Sequence, residues 1–125
     1  MNKYQESQAR IAEAESHLAA GDVSAARQQY RLAADVQRSF VSCIIGRRSL
    51  SPDQARTISI YGLSAATLYY RAGELDTAER LVHQLLMRKD LERRARTQLK
   101  ELLVCVWDEQ SRALADQRAG MEMEE

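Results

Sequence analysis

Apolar residues recur along this chain at spacings of three and four, the period of an amphipathic helix, and nowhere with the alternation of a half-buried strand. Tyr4, Ile11, Ala14 and Leu18 share one face of a predicted helix from about Asn2 to Ala20. Gly21-Asp22 stops it, because glycine accepts the left-handed conformation a helix end favours. A second helix begins near Val23-Ser24, with Ser24 as its cap. It carries Ala26, Tyr30, Ala33, Gln37, Phe40 and Ile44 on one face and ends near Gly46. The segment GRRSLSPDQ is the clearest break. Ser51 is a cap candidate, Pro52 suits the first helical position, and Gln54 completes a capping box with Ser51.

The third helix then runs to about Ala72 with two apolar faces. Ala55, Ile58, Gly62, Ala65 and Tyr69 form one; Ile60, Leu63, Thr67 and Tyr70 form the other. Gly73-Glu74 turns the chain again, and Asp76 with Glu79 reads as a capping pair for a fourth helix. Leu75, Ala78, Leu81, Val82, Leu85 and Leu86 give that helix a wide apolar face. Arg88 and Lys89 near its end suit the negative end of its dipole. Asp90 is the expected cap of a fifth helix, Leu91 to about Arg118, striped by Leu91, Ala95, Leu99, Leu102, Val106 and Ala113. The pattern predicts an all-α fold of about five helices in antiparallel hairpins, one domain over 1–118, and a frayed acidic tail over 119–125.

Composition supports this and narrows the classes. The 125 residues include 5 glycines and 1 proline, too few breakers for a loop-rich fold. Eighteen basic and eighteen acidic side chains cancel, which counts against a generic nucleic-acid binder. The opening MNKYQESQAR lacks the apolar core of a signal peptide, and the longest apolar run, LLVCVW, is far short of a membrane span. Cys43 and Cys105 lie within apolar helical pattern, where cysteine behaves as a small buried hydrophobe; whether they pair is open. The expected setting is cytoplasmic and reducing.

The two glycine turns align. ESHLAAGDVSAARQQYRLAA, from Glu15, matches TLYYRAGELDTAERLVHQLL, from Thr67, with the glycines 52 residues apart. Ala14 and Ala66 precede the glycines by seven, His17 and Tyr69 by four, and Ala26 and Ala78 follow by five. On these residues the chain resembles the tetratricopeptide repeat, over roughly Ser7 to Asp90, with the last helix as a cap. It departs from that family in its long period, in Arg10 and Gly62 where a tryptophan is usual, in Leu85 where a second alanine is usual, and in Asp90 where a proline is usual. The resemblance implies a right-handed array of hairpins whose first helices line a ligand groove. The implied groove residues are Ile60, Leu63, Thr67, Tyr70 and Arg71, with Gln8, Ile11, Glu15, Leu18 and Ala19 in the first hairpin. Leu63 and Thr67 stand where carboxylate-gripping members place lysine and asparagine, so an apolar or amphipathic peptide or helix is the expected ligand.

Chemistry-bearing residues are sparse. His17 and His83 sit in no ligand spacing, no phosphate loop or nucleophile elbow occurs, and no cofactor, metal or small-molecule substrate is expected. Charge is uneven near the end: residues 88–100 hold six basic and two acidic side chains, and 101–125 hold seven acidic and two basic. Arg88, Lys89, Arg93, Arg94, Arg96 and Lys100 form a candidate patch for an anionic partner, without interleaved aromatics. The reading is a non-catalytic adaptor or scaffold that binds another protein or its own kind. The alternatives are an adaptor to nucleic acid or another anionic surface, and a small chaperone of one partner.

Overall fold

A computed structural model describes residues 2–123 of the chain. Among these residues the regular structure is all helix: α1 (Lys3–Ala19), α2 (Val23–Ser42), α3 (Pro52–Thr57), a π-helical turn (Ile58–Gly62), α4 (Leu63–Arg71), α5 (Leu75–Leu86) and α6 (Arg93–Met123). The backbone stays right-handed helical where α3, the π turn and α4 join, so 52–71 is one continuous rod, and the described residues form five helical rods. No helix among the described residues is long and apolar enough to cross a membrane.

The sequence explains the helix starts. Asn2 and Gln5 form a capping box on α1, and Ser51 and Gln54 form the expected one on α3, with Pro52 at its first turn. The two glycine corners are copies of one another. Gly21 (φ 82°) and Gly73 (φ 77°) each adopt the left-handed conformation. Asp22 N–H donates to His17 O and Gly21 N–H to Leu18 O; Glu74 N–H donates to Tyr69 O and Gly73 N–H to Tyr70 O. Both are Schellman closures, which satisfy carbonyls that a helix end would leave open.

Each rod packs on its neighbour in turn. α1 lies against α2, α2 against the π turn and α4, α4 against α5, and α5 against α6, which also touches α4. The small residues of the aligned hairpins sit at these crossings: Ala14, Ala66, Ala26, Ala78 and Ala33 are all 0% exposed, and so is Leu85. Small side chains let helix axes approach closely; Ile58, Leu81, Leu99, Val41, Val82 and Val106 fill the space between them. Ser7 and Ser59, also 52 residues apart, are both buried. Each donates to a carbonyl of its own helix, and each accepts from beyond it: Ser7 from Gln37 Nε2 at 3.4 Å, Ser59 from the Glu92 N–H at 3.1 Å.

Several local expectations are corrected. Asp22, not Ser24, caps α2, because its carboxylate reaches the Ala25 N–H at 3.1 Å. α2 ends at Ser42, and turns occupy 43–46. α5 has no side-chain cap: Asp76 and Glu79 instead accept bonds from Gln110 and Trp107 of α6. Asp90 does not cap the last helix; it pairs with Arg88 at 2.9 Å. α6 runs on through 119–123, which were expected to fray; Glu124 and Glu125 lie outside the described residues. Ala113 is exposed, while Leu103 is buried in its stead. Both cysteines are free and exposed rather than buried.

Candidate partner-binding groove

The five predicted face residues of the third rod part company. Ile60 is half exposed, on the π turn. Leu63 packs partly against the core, and Thr67 is half-buried with its hydroxyl donating to Leu63 O at 2.9 Å. Tyr70 and Arg71, at the end of α4, line a cleft. So the face is partly core at its middle and open at its end.

The local reason is the glycine corner. Gly73 reverses the chain directly after Arg71, so α4 ends short of the space between α2 and α6. Arg27 of α2 reaches across this corner, and its Nε would lie 3.3 Å from a Cβ on Gly73. The opening has two parts that share Arg27 and Arg71. One, of about 360 Å³, is lined by Leu18, Val23, Ala26, Arg27, Tyr30 and Arg71. The other, of about 520 Å³, adds Tyr70, Gly73, Leu75 and, from α6, Glu109, Arg112, Ala113 and Asp116. Leu18 and Val23 are nearly half exposed there. Leu18 belongs to the groove row expected of the first hairpin; Gln8, Glu15 and Ala19 of that row are exposed and Ile11 is packed on the core.

The electrostatics of the opening are asymmetric. Arg71 stacks over the Tyr30 ring, 5.9 Å from its centroid. Neither Arg27 nor Arg71 forms an ion pair among the described residues, whereas Arg112 is engaged by Asp108 at 3.1 Å and Glu109 at 3.5 Å. The cleft therefore offers an apolar floor with two uncommitted guanidiniums on its α2–α4 side. Tyr70 lies near Cys105, Glu109, Asp108 and Arg112 of α6. Burial, followed by the Cys105 and Glu109 charges, pushes its hydroxyl pKa up, so it stays a neutral phenol.

The basic segment is not one patch. Arg88 is a clasp, donating to Ile45 O, to Arg47 O and to both carboxylate oxygens of Asp90. Arg96 donates to Leu86 O and Arg88 O, closing the α5–α6 connection. These two cations are spent on backbone carbonyls. Arg93, Arg94 and Lys100 are exposed along α6, and Lys89 joins Arg47 and Arg48 around a separate opening at the 43–50 loop. His83 sits on α5 beside Glu79 and Trp107, and His17 lies on α1; among the described residues no three His, Cys, Asp or Glu side chains gather as a metal would require.

Sequence reasoning missed Arg27 as a site residue and read Tyr30 only as core. The available signal was position: Arg27 follows the buried Ala26 by one, which turns it off the face packed into the hairpin. Comparison of the chain with family models, with curated proteins and with solved structures finds no match.

Proposed function

We propose that this chain is a non-catalytic protein-interaction module of tetratricopeptide-like, right-handed design, acting in a cytoplasmic setting. Its groove at the glycine corners takes an amphipathic peptide or helix with acidic side chains. The observation that carries this reading is the pairing of Arg27 and Arg71, free of carboxylate partners, with the apolar floor of Leu18, Val23 and Tyr30. Apolar contact supplies area and the guanidiniums supply bidentate recognition of carboxylates. The repeated corners and the repeated buried alanines support the repeat reading. A small chaperone of one partner would use the same groove. A panel of amphipathic peptides, acidic or basic on the polar face, tests it by fluorescence anisotropy. Acidic peptides bind and lose affinity with Arg71→Glu; equal binding of both panels contradicts the proposal.

The second reading, an adaptor to nucleic acid or another anionic surface, is favoured by one observation. Arg47 and Arg48 add to Lys89 around the 43–50 opening. Binding there would fall steeply with salt, because phosphate contacts release counterions. A titration with duplex and single strands at rising salt separates the two readings.

A further inference from the structure

α2 and α5 each run from a glycine corner to the other end of the molecule, where the 43–50 loop and the end of α5 frame an opening of about 560 Å³. Its apolar part is Ile45, packed in part on the core, and Met87, which is 83% exposed. Its charged part is Arg47, Arg48, Arg88, Lys89 and Asp90. Asp90 gives both carboxylate oxygens to Arg88, and Arg88 also takes the carbonyls of Ile45 and Arg47. These bonds fix the loop and cancel one pair of charges. Arg47, Arg48 and Lys89 are exposed and form no ion pair among the described residues. The opening therefore keeps three positive charges beside an apolar lip.

The chain carries the complement of this opening in its own sequence. Residues 119–125, AGMEMEE, hold three carboxylates and no base, with Met121 and Met123 among them. Met121 is 70% exposed, and no residue from Trp107 to Met121 is buried, so the end of α6 stands clear of its own core. It cannot reach the opening of its own chain. α6 starts beside that opening, where Arg96 donates to Leu86 O and Arg88 O, and runs away from it for 31 residues, about 46 Å at 1.5 Å per residue. Midway along, Gln110 already bonds Asp76 in the first turn of α5, at the opposite end. A second copy brings the segment and the opening together.

We infer that copies of this chain associate head to tail, with residues 119–125 of one docked in the 43–50 opening of the next. Glu122, Glu124 and Glu125 meet Arg47, Arg48 and Lys89, and the methionines meet Ile45 and Met87. A single exposed ion pair contributes little; three cations facing three carboxylates beside apolar contact form a network. The docked segment faces the basic end of its neighbour and not the neighbour's own acidic segment, so opposite charges meet. The contact joins two different surfaces, so it adds copies in sequence until a ring closes. It is independent of the groove reading, and it gives this opening a protein occupant in place of a nucleic acid.

Two variants each keep one half of the contact. A chain stopped after Arg118 keeps the opening, and the triple variant Arg47→Glu, Arg48→Glu, Lys89→Glu keeps the segment. The three replaced side chains are exposed and the removed residues follow the last buried one, Val106, so both variants fold, as circular dichroism checks. Sedimentation equilibrium from about 1 to 200 μM reads the association. The mass of the wild type rises with concentration at about 50 mM salt and falls back to that of the monomer at about 500 mM. Each variant alone stays monomeric. Mixed in equal amounts, the two form a one-to-one pair and nothing larger, because only one competent contact remains. A wild type that stays monomeric, whether or not it binds a duplex through the same three cations, overturns the inference. So does either variant that associates as the wild type does, or a mixture that stays monomeric.

Discussion

A Cβ placed on Gly62 would stand 2.7 Å from Cδ2 of Leu85 and 3.1 Å from its Cδ1. Leu85 is wholly enclosed, so its methyl groups have no open space to move into. These are two of the positions at which the second hairpin departs from the tetratricopeptide pattern read in the sequence, small for large on one helix and large for small on the other. Facing one another, they compensate in volume.

Gly62→Ala is therefore expected to destabilise the fold by about 1–2 kcal/mol, despite the ~1 kcal/mol that alanine gains over glycine in a helix interior. Leu85→Ala leaves a cavity and costs about 2–5 kcal/mol. Together the two changes cost less than their sum, because Leu85→Ala makes room for the new methyl. Urea unfolding of the four proteins in this cycle measures the coupling; simple additivity would show that the close approach is not energetic.

Tyr69 responds to alkaline pH. Its hydroxyl donates to Asp35 at 2.5 Å, and burial, then this bond, raises its pKa to about 12. The neutral phenol is favoured in the folded state, so its contribution is fully present below pH ~10 and is lost as pH rises from there through about 12. Absorbance titration of the five tyrosines should show Tyr69 ionising near 12, with Tyr70 also delayed, and Tyr69→Phe should remove the step near 12.

Arg88 and Lys89 are neighbours in sequence with different work. Arg88→Ala frees the 43–50 loop carbonyls and Asp90, and is expected to cost about 2 kcal/mol in chemical denaturation. Lys89→Ala, on an exposed side chain, should stay within about 0.5 kcal/mol. The Arg88 bond holds the Asp90 carboxyl below the usual carboxylate range. Its share of the stability is thus present above pH ~4 and is lost as pH falls through the lowered value.

The single tryptophan reports on the α5–α6 seam. The Gln110 bond, then that of Trp107, lowers the Glu79 pKa, so its carboxylate stays charged to below the usual carboxylate range. Glu79→Ala should red-shift Trp107 emission at neutral pH, with a loss of about 1 kcal/mol or less. An unchanged spectrum would mean that the indole is not held there.

Much of the fold was legible because local rules and burial agree in it. Gly21 and Gly73 announced their corners, Ser51-Pro52 announced α3, and Ala26 and Ala78 lie buried where the alignment set them. What was illegible depended on partners far along the chain. Asp76 and Glu79 have the spacing of a cap, yet Gln110, more than thirty residues on, claims them. Arg88 and Arg96 resemble free surface cations until the fold brings carbonyls to them. Of the face of the third rod, the sequence distinguished Tyr69 in the core from Tyr70 beyond it. It could not show that Leu63 and Thr67 are half covered while Arg71 is left at an opening, since that depends on where the chain turns around Gly73.

If Arg71 and Arg27 hold a partner at the glycine corner, comparative affinity capture will reveal it. Tagged wild type, Arg71→Glu and Lys89→Glu are recovered from the same cells, and bound proteins are quantified by mass spectrometry, each variant first shown to be folded by circular dichroism. At least one protein should be retained by wild type and Lys89→Glu and lost with Arg71→Glu. The same set retained by Arg71→Glu, or a loss confined to Lys89→Glu, would contradict the account.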